Sequence, residues 1–194
     1  MINGVFGQMV LIDIEKETED SVVLSNGVEL FLDTELERMW HARQYGTVKH
    51  ISKHARKRVE DNIDLKIGDK VYFHHFVIDK PLEFEGEKYY QADINQIYAV
   101  EREDDIIMLQ DYILVEPVTN EKELITDSGI ITGNKEWVDN QGLVKYINQF
   151  TDKVIDLKVG DKIIFQENAN YKIKVKGQEL YRMRDYDAMC VLGR

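Results

Sequence analysis

The chain has 194 residues, 43% of them hydrophobic and 10% aromatic, which is enough apolar material for one large folded domain or two small ones. Its 36 acidic and 25 basic residues give a formal net charge of -11, which argues against wrapping nucleic acid or adhering to an anionic membrane. A single cysteine, Cys190, excludes an intramolecular disulfide and a cysteine-rich metal site, and no apolar run approaches the roughly 18 residues that span a bilayer.

Short β-branched and aromatic runs recur along the chain and are typical of strands. In the first half they lie at residues 10–14, 46–51, 70–73 and 97–100, with turn signals at Gly68-Asp69 and Glu85-Gly86. In the second half they lie at residues 113–117, 142–147, 162–165, 171–175 and 189–192, with turn signals at Gly160-Asp161 and Lys176-Gly177. Many short strands of this kind predict an all-β fold.

The two halves are copies of one pattern. Residues 64–73 and 156–165 are identical at seven of ten places, and residues 46–51 correspond to 142–147 in the same order. Each copy spans roughly 90 residues, so we predict two tandem β-barrels, one at 1–104 and the other at 105–194. The junction at 101–105 has no Gly, Pro or Ser and is too short for a free linker, so pairing of terminal strands between the units is expected to cover their edges.

The second copy resembles the GroES co-chaperonin family over its whole length. Residues 109–115 look like the family's first strand, and Ser128-Gly129-Ile130-Ile131-Thr132 looks like its loop motif. Residues 142–144 look like the next strand, and residues 159–165 like the Val-Gly-Asp turn and the strand after it. The first copy is similar from Gly46 onward. The resemblance implies two GroES-like β-barrels that carry no catalytic residues and work as part of a lid.

The resemblance also implies where a chaperonin is bound. Mobile loops are expected at about 17–44 in the first copy and about 119–140 in the second. Their predicted chaperonin-binding residues are Gly129, Ile130, Ile131 and Thr132 in the second copy and Gly27, Val28 and Leu30 in the first. In the first copy an Asn26-Gly27 turn in a fixed hairpin is an equally good interpretation, and residues 22–24 are a rival match to the motif.

The implied partners are a GroEL-type chaperonin, further copies of the chain in a homo-oligomeric ring, and unfolded protein substrates inside the cage, with no nucleic acid and no membrane. No cofactor is expected, because the chaperonin uses the ATP. The expected compartment is the cytoplasm, or the host cytoplasm if the source is a virus. Whether the two barrels of a chain lie side by side in a ring or are stacked is left open.

Other functions have less support in the sequence. The main alternative is a structural or adaptor protein that keeps the barrels without docking on a chaperonin. The Gly-Asp turns lack the surroundings of a phosphate loop, and His50 and His54 have metal-ligand spacing only if their segment is helical. A basic cluster at 53–58 occurs in one copy only, and no dinucleotide-binding or zinc motif indicates a dehydrogenase fragment.

Overall fold

A computed structural model describes residues 2, 4–18, 21–23, 27–31, 41–53, 55, 65–103, 105–125, 131–148 and 156–193, with backbone alone at 22–23, 120–125 and 131–137. The described chain divides into two compact units, Met1–Gln110 and Asp111–Arg194. Each unit is built on its own antiparallel sheet.

The first unit contains nine of the strands in the described residues. They are β1 (Met9–Asp13), β2 (Ser21–Val23), β3 (Glu29–Phe31), β4 (Tyr45–Ile51), β5 (Lys70–Phe73), β6 (Pro81–Phe84), β7 (Glu87–Asp93), β8 (Ile97–Arg102) and β9 (Asp105–Met108). Seven of them form one sheet in the spatial order β6-β7-β1-β4-β5-β8-β9, while β2 and β3 pair only with each other in that part of the chain.

The second unit contains the remaining six. They are β10 (Tyr112–Ile125), β11 (Ile131–Ile147), β12 (Lys162–Phe165), β13 (Tyr171–Val175), β14 (Gln178–Arg184) and β15 (Ala188–Leu192). Their spatial order is β13-β14-β10-β11-β12-β15. Besides strands, the described residues contain the short 3-10 helices His75–Asp79, Ile94–Gln96 and Asp185–Asp187. The predicted all-β class is therefore confirmed, and the two sheets are consistent with two GroES-like β-barrel domains.

The predicted Gly-Asp turns have the same hydrogen bonds in both units. In the first, Asp69 N–H donates to the Lys66 carbonyl (3.1 Å) while the Asp69 carboxylate accepts from Lys66 N–H (2.7 Å). In the second, Asp161 and Lys158 make the same two bonds at 3.1 and 2.8 Å. The glycine between them has a φ of +94° in the first turn and +92° in the second, a conformation that glycine adopts without a steric penalty. A short aspartate and a glycine at this spacing therefore fix the turn locally.

The cores lie under the strands that the sequence pattern predicts. In the first unit the buried set includes Val10, Ile12, Val48, Leu65, Val71 and Phe73. In the second it includes Ile113, Val115, Val144, Leu157, Ile163 and Phe165. Leu65 and Leu157 precede the two Gly-Asp turns. The other core residues occupy matching places in the two sheets, because β1–β4 and β10–β11 pair in one register, as do β5–β8 and β12–β15.

The sequence repeat and the hydrogen bonding assign strand β9 to different halves of the chain. By sequence it opens the second copy, which the repeat pattern begins at residue 105. By hydrogen bonding it belongs to the first sheet, where Val100 opposes Ile107 and Ala99 opposes Met108. The compact units accordingly meet between Gln110 and Asp111 rather than at 104/105. The reason is physical: an edge strand next to a tight turn pairs with the nearest open edge.

Candidate functional site

The first predicted loop is closed at its base by contacts with the sheet. Thr18 forms a β-bridge with Ala42, and Arg43 N–H donates to the Glu17 carbonyl at 2.8 Å. The Glu17 carboxylate also accepts from the Lys88 ammonium and the Tyr90 hydroxyl of β7. The hydrogen bond to Glu17 raises the pKa of Lys88, and burial raises the pKa of Tyr90, so neither group releases its proton near neutral pH. The segment therefore starts and ends at a fixed place.

Beyond this base the segment forms a two-stranded hairpin. Strands β2 and β3 pair antiparallel, with Ser21 opposite Phe31 and Val23 opposite Glu29. The Ser21 hydroxyl donates to the Glu29 carboxylate at 2.6 Å, and Gly27 has a φ of +81°. This pairing is the arrangement that the hairpin interpretation of the sequence expects, although Asn26 itself lies outside the described residues.

The hairpin exposes apolar side chains to water. Val28 and Leu30, two of the predicted binding residues, are each about half exposed. Phe31, which the prediction did not include, is 81% exposed and lies on the opposite face of β3 from Leu30. Its signal in the sequence was its place beside Leu30 in a short apolar run. Apolar side chains exposed on both faces of a short hairpin are available for contact with another protein.

The second predicted loop is the outer part of a longer hairpin. Strands β10 and β11 stay paired from Thr119–Trp137 out to Ile125–Ile131. Ile131 and Thr132 therefore begin β11, with Ile125 and Leu124 opposite them, whereas Gly129 and Ile130 lie outside the described residues. Sequence analysis expects an unpaired loop over about 119–140, and the structure pairs much of that stretch through its backbone. Docking by these residues stays a prediction.

Other candidate chemistry finds little support in the described part of the chain. Those residues contain no group of three or more His, Cys, Asp or Glu side chains placed to hold a metal ion. Of the spaced histidines, His54 lies outside the described residues, as does most of the basic cluster at 53–58. Cys190 is exposed on β15. None of the helices in the described ranges is long and apolar enough to cross a membrane.

Part of the chain matches known proteins. The family model of the chaperonin 10 kDa subunit matches residues 105–192. A co-chaperonin GroES of Cupriavidus necator is 38% identical over 93 residues, which are 44% of this chain and 95% of the relative. A co-chaperonin GroES of Francisella tularensis subsp. holarctica is 35% identical over 92 residues, again 44% of this chain and 95% of the relative. The chain belongs to the chaperonin 10 family.

Membership of the chaperonin 10 family confirms two expectations from the sequence. The resemblance to GroES co-chaperonins, read from the loop motif and the Gly-Asp turn, is confirmed. The expectation that the chain is not an enzyme is also confirmed, because the co-chaperonin family is non-enzymatic. The apolar side chains exposed on the β2–β3 hairpin are therefore the feature to explain.

Proposed function

We propose that the chain is a co-chaperonin with two GroES-like domains in tandem, which caps a GroEL-type chaperonin ring and assists ATP-dependent protein folding. The observation that carries the proposal is the match of the second copy, residues 105–192, to the chaperonin 10 kDa subunit. In the first copy the β2–β3 hairpin adds three apolar residues exposed to water, Val28, Leu30 and Phe31. The second copy offers Ile131 and Thr132 at the end of a longer hairpin. We assign these two segments as the chaperonin-binding elements.

The energetics of such a contact favour many weak attachments. Burying one aliphatic side chain contributes about 1.5–3 kcal/mol, whereas ordering each backbone residue costs about 1–2 kcal/mol. One segment alone therefore binds weakly. A homo-oligomeric ring makes each contact after the first intramolecular, so modest contacts combine into a firm seal that still releases. The ATP is hydrolysed by the chaperonin, and the co-chaperonin needs no cofactor of its own.

The setting follows from the same proposal. The chain acts in the cytoplasm, or in a host cytoplasm if a virus encodes it, and its further partners are unfolded proteins inside the cage. Its net charge of -11 fits a protein that binds neither nucleic acid nor a membrane.

The test uses paired variants that place a charge on an apolar residue within the docking segments or on an exposed apolar residue outside them. Leu30→Asp and Ile131→Asp lie within them, while the exposed Ile67 and Val159, at the two Gly-Asp turns, supply the controls Ile67→Asp and Val159→Asp. Each protein is mixed with a GroEL-type chaperonin and ATP, and capping is measured by co-sedimentation and electron microscopy. We expect the segment variants to lose at least tenfold in affinity and the control variants to keep it.

Equal binding by segment and control variants would show that the docking assignment is wrong. If the unaltered protein fails to cap the ring at all, the alternative of a structural or adaptor protein takes its place. The fixed hairpin of the first copy is the observation that favours that alternative.

A further inference from the structure

Glu17 joins the first docking segment to the sheet in two directions. Its carboxylate accepts hydrogen bonds from the Lys88 ammonium and the Tyr90 hydroxyl, both on β7. Its backbone carbonyl accepts from Arg43 N–H at 2.8 Å, where the chain returns from the β2–β3 hairpin. The side chain thus ties the outgoing chain to β7, and the backbone ties the outgoing chain to the returning chain. We call this group of contacts the Glu17 latch.

The β7 side of the latch rests on the core of the first unit. Tyr90 is 2% exposed and lies opposite Ile12 of β1 and Pro81 of β6. The Lys88 ammonium lies 5.4 Å from the centroid of the Tyr90 ring. The hydrogen bond to Glu17 raises the pKa of this ammonium, so it stays charged at neutral pH. Glu17 therefore binds a hydroxyl that the core holds in place and a cation held beside it.

The second copy does not repeat the residue types of the latch. Strands β10 and β14 pair in the register of β1 and β7, which puts Glu179 in the place of Lys88. Glu179 forms its ion pair with Lys172 of β13, at 3.0 Å. Counting forward along β10 puts the uncharged Asn120 in the place of Glu17. The acid and base that close the latch in the first unit are thus replaced by an amide and an acid in the second.

The two ends of the first segment are also closed against each other. Thr18 forms a β-bridge with Ala42, which is 8% exposed and belongs to the core. Beyond this bridge the β2–β3 hairpin pairs from Ser21–Phe31 to Val23–Glu29. A segment that is fixed at its base and paired within itself has fewer conformations to lose on binding than a free loop has. Holding a binding loop in one conformation raises its affinity for that reason.

We propose that Glu17 is the positioning residue of the first docking segment, and that its latch presents Val28 and Leu30 to the chaperonin in a hairpin ordered before contact. The two segments of a chain then dock differently, because only the first copy has the residue types of the latch. The fixed hairpin is thus a docking element ordered in advance rather than a segment that has lost docking. The inference deepens the proposed function and rests on it for the effect on docking, but not for the order of the hairpin.

The test reverses and then exchanges the charges of the latch. Glu17→Lys sets an ammonium against Lys88 and removes the acceptor of the Tyr90 hydroxyl. Adding Lys88→Glu restores the ion pair and puts a carboxylate at a position whose side chain reaches Tyr90. Glu17→Gln keeps an oxygen that accepts from both donors. The matched control is Glu179→Lys, which reverses the charge at the corresponding place of the second copy and breaks the pair there.

Hydrogen exchange of the free protein is the first measurement, because it needs no chaperonin. In Glu17→Lys the amides of β2 and β3 should exchange about tenfold faster, while those of β1 and β7 keep their protection. In the charge-exchanged double variant, in Glu17→Gln and in Glu179→Lys, β2 and β3 should stay within about threefold of the unaltered protein. A merely structural role for Glu17 would instead change the core strands together with the hairpin.

Affinity for a GroEL-type chaperonin with ATP is the second measurement. It is made in an Ile131→Asp background, so that capping depends on the first segment. Glu17→Lys should weaken capping about tenfold in co-sedimentation, and the charge-exchanged double variant should recover it to within about threefold. Glu17→Gln and Glu179→Lys should bind as the background protein does.

Four outcomes would overturn the proposal: unchanged exchange of β2 and β3 in Glu17→Lys, faster exchange of β1 and β7 as well, capping that Glu17→Lys does not weaken, or weakened capping that the charge exchange does not restore. Failure of the unaltered protein to cap the ring would remove the proposed function and the docking role of Glu17 with it. Faster exchange of the hairpin in Glu17→Lys would still establish that the latch orders it, so the two failures are distinguishable.

Discussion

The outer hairpin of the first unit, β6–β7, carries charges opposite to those of its counterpart in the second, β13–β14. Both hairpins turn through two residues of positive φ, Glu85-Gly86 in one and Lys176-Gly177 in the other. Across the first hairpin Glu83 opposes Lys88, and across the second Lys174 opposes Glu179, which is the same pair with the charges exchanged. The backbone path is shared, but the surface it presents is not.

The two hairpins differ at their outer positions but not at the inner positions that are buried in the sheet. Tyr90 and Tyr181, at the inner end of the two hairpins, are buried in both units. Further out, Ile173 and Val175 are buried in the second unit, whereas Leu82 and Phe84 at the matching places of the first are exposed. Turn geometry and the inner residues set the register, and the outer positions then vary with little effect on the fold.

The largest expected effect comes from the paired core phenylalanines. Phe73 and Phe165 occupy the same place in the two sheets and are almost wholly buried. Phe73→Ala and Phe165→Ala should each lower the free energy of unfolding by about 3–5 kcal/mol, because each leaves a cavity. Hydrogen exchange followed by mass spectrometry should place the loss in the unit that carries the change. An equal loss in both units would mean that they unfold as one.

A smaller loss of stability is expected at two glycines that lie very close to a neighbouring strand. A Cβ added at Gly46 would lie 2.5 Å from the Asp13 carbonyl oxygen, and one added at Gly142 would lie 2.1 Å from Val115 Cγ1. Gly46→Ala and Gly142→Ala should each cost about 3 kcal/mol, since the backbone must move. Gly68→Ala serves as the control, because its Cβ meets open space and only the positive φ opposes it, at about 1 kcal/mol. If chemical denaturation shows that Gly68→Ala loses as much stability as Gly46→Ala and Gly142→Ala, the close approach of the strands at those two glycines would be contradicted.

The charge of Asp69 should help to hold the first Gly-Asp turn through its pair with Arg102. The Asp69 carboxylate accepts from Arg102 at 2.6 and 3.0 Å. Asp69→Asn keeps the oxygen that accepts from Lys66 but weakens the pair with Arg102, so it should lower the free energy of unfolding by about 2 kcal/mol. Equal stability of Asp69→Asn and the unaltered protein in urea denaturation would show that the pair with Arg102 contributes nothing.

High pH should weaken both units through their matched tyrosines. Burial raises the pKa of Tyr90 and of Tyr181 above the value in the unfolded chain. The protonated hydroxyl is therefore favoured by folding, and the stability it contributes is present below about pH 10 and is lost as the pH rises through the folded pKa. Between pH 8 and 11, the midpoint temperature of thermal unfolding should fall less steeply with pH for Tyr181→Phe than for the unaltered protein. An unchanged slope would contradict the burial of this hydroxyl.

The smallest expected effect is the exchange of hairpin charge itself. Glu83 and Lys174 are both exposed. The neighbouring ion pair of Lys172 and Glu179, 3.0 Å apart, is about half exposed as well, so charges on these hairpins are screened by water and salt. Glu83→Lys and Lys174→Glu should each change the free energy of unfolding by less than about 0.5 kcal/mol. A loss above 1 kcal/mol in either would mean that hairpin charge does help to hold the fold.

Sequence predicted the parts of this molecule that local bonds determine. The Gly160-Asp161 turn and the burial of Phe165 follow from a repeat whose spacing is set by short-range hydrogen bonds and by alternation along a strand. The pairing of residues 119–125 with 131–137 was not predicted, because that stretch is polar and the pairing lies in backbone bonds that carry no side-chain pattern. The exposure of Phe31 also escaped prediction, since a sequence does not tell which apolar residues find a core.

The pairing of β8 with β9 also affects how fast the edge of β8 is covered during folding. Their connection turns at Glu103, so the two strands meet as a hairpin whose closure does not depend on protein concentration. The same joint between separate chains would be a second-order encounter that slows with dilution. Because the two strands are parts of one chain, the outer edge of β8 is covered as soon as that chain folds, at any dilution.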